Sequence, residues 1–276
     1  MGPVCRLFKF TRPCDTGTVN SPAAWNPNQY LKFERERTRP VRDLLNAVPT
    51  ATVRTAIDIG CGPGNSTELL AAQFPQASIR GLDNSADMIA AARKRLPQLR
   101  FDVKDIERWH ETGPFDLIVG NAVLQWVARH EALLPALVSK LAAGGSLALQ
   151  MPDNLEESAH RLMREVAAEG PWAARLENSG RTQLYVAPRY YALLAPHCSR
   201  VDVWRTVYHH PLAGGAPAVV EWFLGSGLRT FLAPLDEAEK TRFLEDYRAR
   251  IACAYPEMAD GTVLLPFPRL FIVATR

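Results

Sequence analysis

The chain has 276 residues, 47% of them hydrophobic, with 32 basic against 29 acidic side chains and a formal charge of +3. A chain of that length buries a substantial core, as one large domain or a domain carrying an inserted subdomain, and its composition excludes disorder. Charge or proline breaks every long apolar stretch, so no transmembrane helix is expected, and so balanced a charge lacks the footprint of a nucleic-acid binder while leaving room for a small anionic substrate.

In chain order, residues 1–24 place Arg6, Lys9 and Arg12 where a secretory signal would need an apolar run, and their Pro, Thr, Ser and Asn content predicts a disordered extension. A single domain is expected over 25–276. It opens with a helical stretch ending near Val48, with apolar residues at Val41, Leu44, Leu45 and Val48. Within a core at 50–151, strand-like runs at 54–60, 78–83, 99–105, 115–121 and 145–151 alternate with helical patterns at 66–74, 86–95 and 130–142. Such alternation predicts βαβ units and right-handed crossovers. Further helices are predicted at 155–169, 188–196 and 237–254, and two last strands at 201–208 and 263–274. The expected fold is α/β: a Rossmann-like, doubly wound, mostly parallel seven-stranded sheet. Helical insertions at about 152–187 and 211–262 should form a lid over the carboxyl ends of the strands, where ligands of such sheets bind.

The strongest local signal is Asp58-Ile59-Gly60-Cys61-Gly62-Pro63-Gly64-Asn65-Ser66, between a strand and a helix. Its glycines allow a tight turn and close backbone approach, and Ser66 is placed to cap the helix, leaving its amide groups for an anion. A dinucleotide fingerprint would want glycine where Asn65 stands, which disfavours a nicotinamide oxidoreductase and suits a methionine carboxylate better. Asp83 follows at the end of the second strand, with Asn84 and Met88 after it, placed to accept from both ribose hydroxyls. Asp105 and Ile106 end the third strand, for an adenine ring, and Asn121-Ala122 end the fourth, beside a sulfonium. Four polar positions on four successive strand ends are hard to explain as packing, because an unpaired buried carboxylate is costly, although each acid taken alone also suits a helix cap.

These residues resemble the class I methyltransferases, which use S-adenosylmethionine. The stretches 25–33 (WNPNQYLKF), 36–40 (ERTRP), 58–67 (DIGCGPGNST), 124–126 (LQW), 150–154 (QMPDN), 162–167 (LMREVA), 202–206 (DVWRT) and 267–274 (FPRLFIVA) are similar to the bacterial trans-aconitate 2-methyltransferase family, from Trp25 to the end. The resemblance implies methyl transfer from S-adenosylmethionine to a carboxylate of trans-aconitate, giving a monomethyl ester and S-adenosylhomocysteine. It also implies that the amino-terminal segment with Tyr30, Arg37 and Arg39 folds over cofactor and substrate.

A carboxylate acceptor is ionised at neutral pH, so no catalytic base is expected, only alignment and desolvation. Tyr30, Arg37, Gln125 and Trp126 are the substrate-binding candidates. A solvated helical face for the first two, and a core position for Trp126, are the competing readings. Arg181, Arg189, Tyr190, Tyr191, Arg205 and Arg269 rank below them. Adjacent His209 and His210 on a strand point to opposite faces and are expected to be structural. Five widely spaced cysteines with no C-x-x-C pair predict a reducing, cytoplasmic setting and no metal, and Cys61 is expected only to fill a place needing a small side chain. Neither a nucleic acid nor a membrane is an expected partner. The cofactor half of the site is silent on the acceptor, so a phenol, amine or carbon methyltransferase, or a cofactor-binding protein without transferase activity, stays open on the residues alone.

Overall fold

The computed structural model describes residues 34–181 and 183–276; the predicted extension 1–24 and Tyr30 lie outside them. The alternating segments become one seven-stranded sheet: β1 (Thr55–Ile59), β2 (Ser78–Asp83), β3 (Arg100–Val103), β4 (Phe115–Asn121), β5 (Leu141–Pro152), β6 (Arg200–Ala213) and β7 (Thr262–Thr275). The order across the sheet is β3-β2-β1-β4-β5-β7-β6. Strands β1 to β5 pair in parallel, and β7 runs antiparallel to both β5 and β6. This is the expected Rossmann-like, mostly parallel sheet. Strand order reverses between β1 and β4, which opens a crevice at their carboxyl ends.

Alternate residues of each buried strand feed opposite faces. On one face Ala56, Leu117, Val119, Ala148 and Phe271 pack against helices α1 (Glu34–Asn46) and α2 (Asn65–Gln73) through Val41, Leu44, Leu45 and Leu70. On the other, Ile57, Ile118, Leu147, Leu149 and Ile272 meet α4 (His130–Ser139) and α7 (Ala187–Leu194) through Leu133, Leu134, Leu137, Tyr190 and Leu194. Helix α3 (Ala86–Arg95) covers the β2–β3 end with Ile89 and Ala92.

Several boundaries differ from the sequence expectation for reasons of pairing. Strand β3 stops at Val103 rather than 105 because Asp105 turns the chain, its Oδ1 accepting from the Glu107 amide at 2.9 Å to cap a 3₁₀ turn over Ile106–Arg108. Strand β5 begins at Leu141, which pairs with Phe115 across an irregularity, so α4 ends at Ser139 instead of running to 142. Strand β6 continues to Ala213 because β7 offers a partner for every residue of it, from Arg200↔Thr275 to Ala213↔Thr262.

That pairing has an architectural consequence. Strand β5 accompanies β7 only from Ser146↔Thr275 to Pro152↔Arg269, so from Arg269 toward Thr262 the β6–β7 ribbon leaves the sheet as a two-stranded arm. Helices α5 (Ser158–Glu169), α6 (Ala173–Leu176), α8 (Gly215–Leu224), α9 (Arg229–Leu232) and α10 (Glu237–Ala254) gather on the arm. Their own core joins Met163, Val166, Trp172, Trp222, Phe223, Phe243, Tyr247 and Ile251 to Leu212, Val263, Leu265 and Phe267 of the arm. Among the described residues no helix is long and apolar enough to cross a membrane.

Candidate active site

The glycine-rich turn leaves β1 with three left-handed residues in alternation, Gly60 at φ +67°, Gly62 at +55° and Gly64 at +92°. Side chains strain that conformation, and at Gly60 a Cβ would also lie 2.3 Å from Val123, just past β4. The turn from β1 and the exit of β4 therefore touch backbone to side chain. Gly64 is the N-cap of α2 and supplies no side-chain cap, so the first-turn amides of that helix keep their attraction for an anion. The expected capping role of Ser66 is not what the structure shows: Ser66 sits inside the first turn and its hydroxyl donates to Asp58 Oδ2 at 2.7 Å, as does that of Thr67.

Asp58 is completely buried, and burial raises its pKa from 3.8 to about 6 against those two bonds. Its other oxygen, Oδ1, is buried with no hydrogen-bond partner among the described residues. An orphaned carboxylate oxygen beside an uncapped helix start asks for a cation and an anion at adjacent positions. The ammonium and carboxylate of an amino acid meet both demands, so the residues present fit the methionine end of S-adenosylmethionine.

Asp83 ends β2 and holds the same turn from the other side. Its Oδ2 accepts from the Gly62 amide at 3.0 Å and its Oδ1 from the Ser85 amide at 2.9 Å. Burial raises its pKa, opposed by those bonds and one from the Asn84 amide. Asn84 is exposed beside it, and Met88 is buried on α3. Cys61 lies under the turn, 3% exposed, and burial pushes its thiol pKa up, which leaves it inert. Asp105 is exposed and Ile106 buried, two and three residues beyond β3 rather than on its end.

At β4 the chain passes Asn121 and then Ala122, whose φ of +54° is strained for a residue with a Cβ. Two bonds hold it there: its amide donates to the Gln150 carbonyl at 2.8 Å, and its carbonyl accepts from Gln125 Nε2 at 2.6 Å. Gln125 is buried, and its Oε1 has no partner among the described residues. The core reading of Trp126 is overturned, since it is 40% exposed at the carboxyl edge. His130 fixes this turn from below, one ring nitrogen 2.7 Å from the Leu124 carbonyl and the other 2.9 Å from the Tyr190 hydroxyl. Tyr190 is fully buried and thus part of the scaffold beneath this turn.

The remaining candidates separate cleanly. Arg37 lies on α1, but its side chain is outside the described residues; Arg39 is exposed, 5.3 Å over the Tyr208 ring. Arg189 pairs at the surface with Glu131 at 3.4 Å, Arg205 with Asp153 at 3.0 Å, and Tyr191 is exposed. His209 is exposed while His210 is buried, stacked 4.9 Å from Trp222. Arg181 and Arg269 instead converge on the end of β5. Arg181 Nη1 donates to the Pro152 carbonyl at 3.1 Å and Nη2 to Asn154, and burial lowers its pKa to about 10, so it stays cationic at neutral pH. Arg269 is 4% exposed, opposite Pro152, and donates to Gln150 Oε1 at 2.8 Å. The residue that sequence reasoning missed is Gln150. Its signal was a polar side chain inside the buried apolar run Leu147–Met151.

A methyltransferase-domain family model matches residues 56–145, which hold the turn, Asp83, Asp105 and Asn121. The seven-stranded fold is shared with the YcgJ protein of Bacillus subtilis, at a TM-score of 0.57 with 11% identity over 86% of this chain and 98% of that one. It is shared also with phosphoethanolamine N-methyltransferase 2 of Haemonchus contortus in complex with S-adenosyl-L-methionine, at 0.52 and 17% over 86% of this chain and 52% of that one. Trans-aconitate 2-methyltransferase of Methylobacterium nodulans is 54% identical over 256 residues, 92% of this chain and 99% of that relative. The enzyme of the same name from Yersinia pseudotuberculosis is 52% identical over 252 residues, 91% of this chain and 97% of the relative. Identity of this degree over nearly the whole of both relatives, on the methyltransferase sheet and with its glycine turn intact, places the chain in one family: it belongs to the trans-aconitate 2-methyltransferases.

Proposed function

We propose that the chain transfers a methyl group from S-adenosylmethionine to a carboxylate of trans-aconitate, releasing the monomethyl ester and S-adenosylhomocysteine in the cytoplasm. The observation that carries this reading is the 54% identity across 99% of a relative bearing that name. S-adenosylmethionine, when bound, supplies an electrophilic methyl group on its sulfonium. Asp58 Oδ1 would accept from the methionine ammonium, and the uncapped start of α2 would face its carboxylate. Asp83 would receive the ribose hydroxyls on the lone pairs that Gly62 and Ser85 leave, and Asp105 with the Ile106 amide would meet the adenine. Asn121 and Ala122, at the end of β4, would lie beside the transferring methyl.

The acceptor needs no base, because a carboxylate with a pKa of about 4 is already ionised at neutral pH. What the protein must do is hold it in line and strip its water, for which a dry, cationic edge is suited. The guanidinium group of Arg181 at the end of β5 supplies the charge, with Arg269 buried behind it on Gln150, Gln125 and Trp126 form a wall, and the helices on the β6–β7 arm serve as the lid. Five widely spaced cysteines with no C-x-x-C pair support a reducing compartment.

The test is methyl transfer from radiolabelled S-adenosylmethionine to trans-aconitate, cis-aconitate, citrate, isocitrate and a simple phenol, read as base-labile ester. Trans-aconitate is expected to be the preferred acceptor. Cofactor binding with no acid methylated would sink the substrate assignment and leave the fold.

A further inference from the structure

Arg269, Gln150 and Asn121 form a hydrogen-bonded line from β7 across β5 to the end of β4. Arg269 Nη1 donates to Gln150 Oε1 at 2.8 Å, and Gln150 Nε2 donates to Asn121 Oδ1 at 2.5 Å. The direction of this line follows from chemistry. A guanidinium has only donors, so it must meet the oxygen of the Gln150 amide. That turns the Gln150 nitrogen toward Asn121, and a donor there must meet the Asn121 oxygen. The Asn121 nitrogen then takes no part in the line, and it belongs to a partly exposed residue at the carboxyl end of β4. A neutral pair of amides between strands would be indifferent to which way each pointed; the buried cation at one end removes that freedom.

We propose that Arg269 and Gln150 are positioning residues that lock the Asn121 amide with its NH₂ group toward the acceptor, so that Asn121 donates a hydrogen bond to the substrate carboxylate. This rests on the carboxylate acceptor proposed above and assigns the residue that recognises it. The polarity is what suits the substrate: the opposite orientation would present a carbonyl oxygen to an anion and repel it, while it would suit an amine. Arg269 acts through Gln150 and is not itself required to touch the acid. The strand register makes the arrangement specific to this fold, because Arg269 is the last β7 residue opposite β5, facing Pro152, and Gln150 is opposite Asn121 across β4 and β5.

The experiment uses the full chain saturated with S-adenosylhomocysteine and measures trans-aconitate binding by calorimetry, beside steady-state methyl transfer. Gln150→Glu keeps an acceptor for Arg269 but offers Asn121 only oxygens, so the Asn121 amide must reverse. Acid affinity is expected to fall about 10- to 100-fold, the equivalent of one bond to a charged group, while affinity for S-adenosylhomocysteine and the melting temperature hold. Arg269→Met should lose acid affinity in the same way, and Arg269→Lys, which still donates to the Gln150 oxygen, should recover most of it. Unchanged acid affinity in Gln150→Glu, or an equal loss of cofactor affinity, would overturn the proposal, as would failure of the wild-type complex to bind the acid. Wild-type binding of the acid without methylation would instead defeat only the assigned reaction, and the variants would still read the amide.

Discussion

Asp58 concentrates the electrostatics of the site in one side chain. Its folded-state pKa of about 6 lies above its ordinary 3.8, so the ligand-free protein binds a proton there that the unfolded chain has lost. Its contribution to stability is therefore complete below about pH 3.8 and disappears as pH rises through about 6, a swing of about 3 kcal/mol. Other carboxylates, Glu111 and Asp116 among them, are held below their ordinary values and act in the opposite sense, so the swing is to be read as the difference between wild type and Asp58→Asn in denaturant titrations. Cofactor binding should run the other way, strengthening from about pH 5 to 7.5 as the carboxylate ionises for an ammonium, with most of that slope gone in Asp58→Asn. A flat wild-type binding profile would remove Asp58 from the ammonium site. Asp83 carries two tasks, because its oxygens already serve Gly62 and Ser85. Asp83→Ala is expected to weaken cofactor binding by at least about 1.5–3 kcal/mol, because it frees the glycine turn and also removes the acceptor for the ribose hydroxyls; isothermal titration would show it. The positions of both acids beside the glycine turn were legible in the chain because motif and spacing are local. Ser66 was not, since whether its hydroxyl caps a helix or meets Asp58 depends on how the strand and helix dock.

Among the elements, the two turns at the carboxyl ends of β1 and β4 behave as one unit. Gly60 and Val123 meet so closely that a Cβ at 2.3 Å has no room, and the positive φ adds strain of its own. Gly60→Ala should cost about 2–4 kcal/mol in thermal unfolding and impair cofactor affinity with it, whereas an unshifted melting temperature would mean that the turns do not touch. Beyond β4, Ala122, Gln125, His130 and Tyr190 brace the strained exit from three sides. Sequence periodicity located β4 and α4 but could not show that Tyr190, far along the chain, would lend its hydroxyl to His130. Such a bond depends on α7 returning to the same face of the sheet.

For the whole molecule, the decisive feature is that one strand pair serves two cores. The arm helices have no separate sheet; they pack on the stretch of β6–β7 that β5 does not cover. The arm and the cofactor sheet should therefore unfold together. Phe243→Ala, at a fully buried position of the arm core, is expected to cost about 3–5 kcal/mol and to lower a single calorimetric transition rather than split it in two. Two separate transitions would show the arm and its helices to be an independent unit. The amino-acid sequence by itself determined the strand and helix alternation, the mostly parallel sheet that follows from it and the cofactor loop, because hydrophobic period, turn glycines and capping chemistry act over a few residues and survive in any context. Only the tertiary structure decided which arginines converge on the end of β5, that Trp126 is 40% exposed, that β6 and β7 run on past the sheet, and that Gln150 joins Arg269 to Asn121. Those outcomes depend on register between strands distant in the chain, where a shift of one residue would send a strand's side chains to the opposite face.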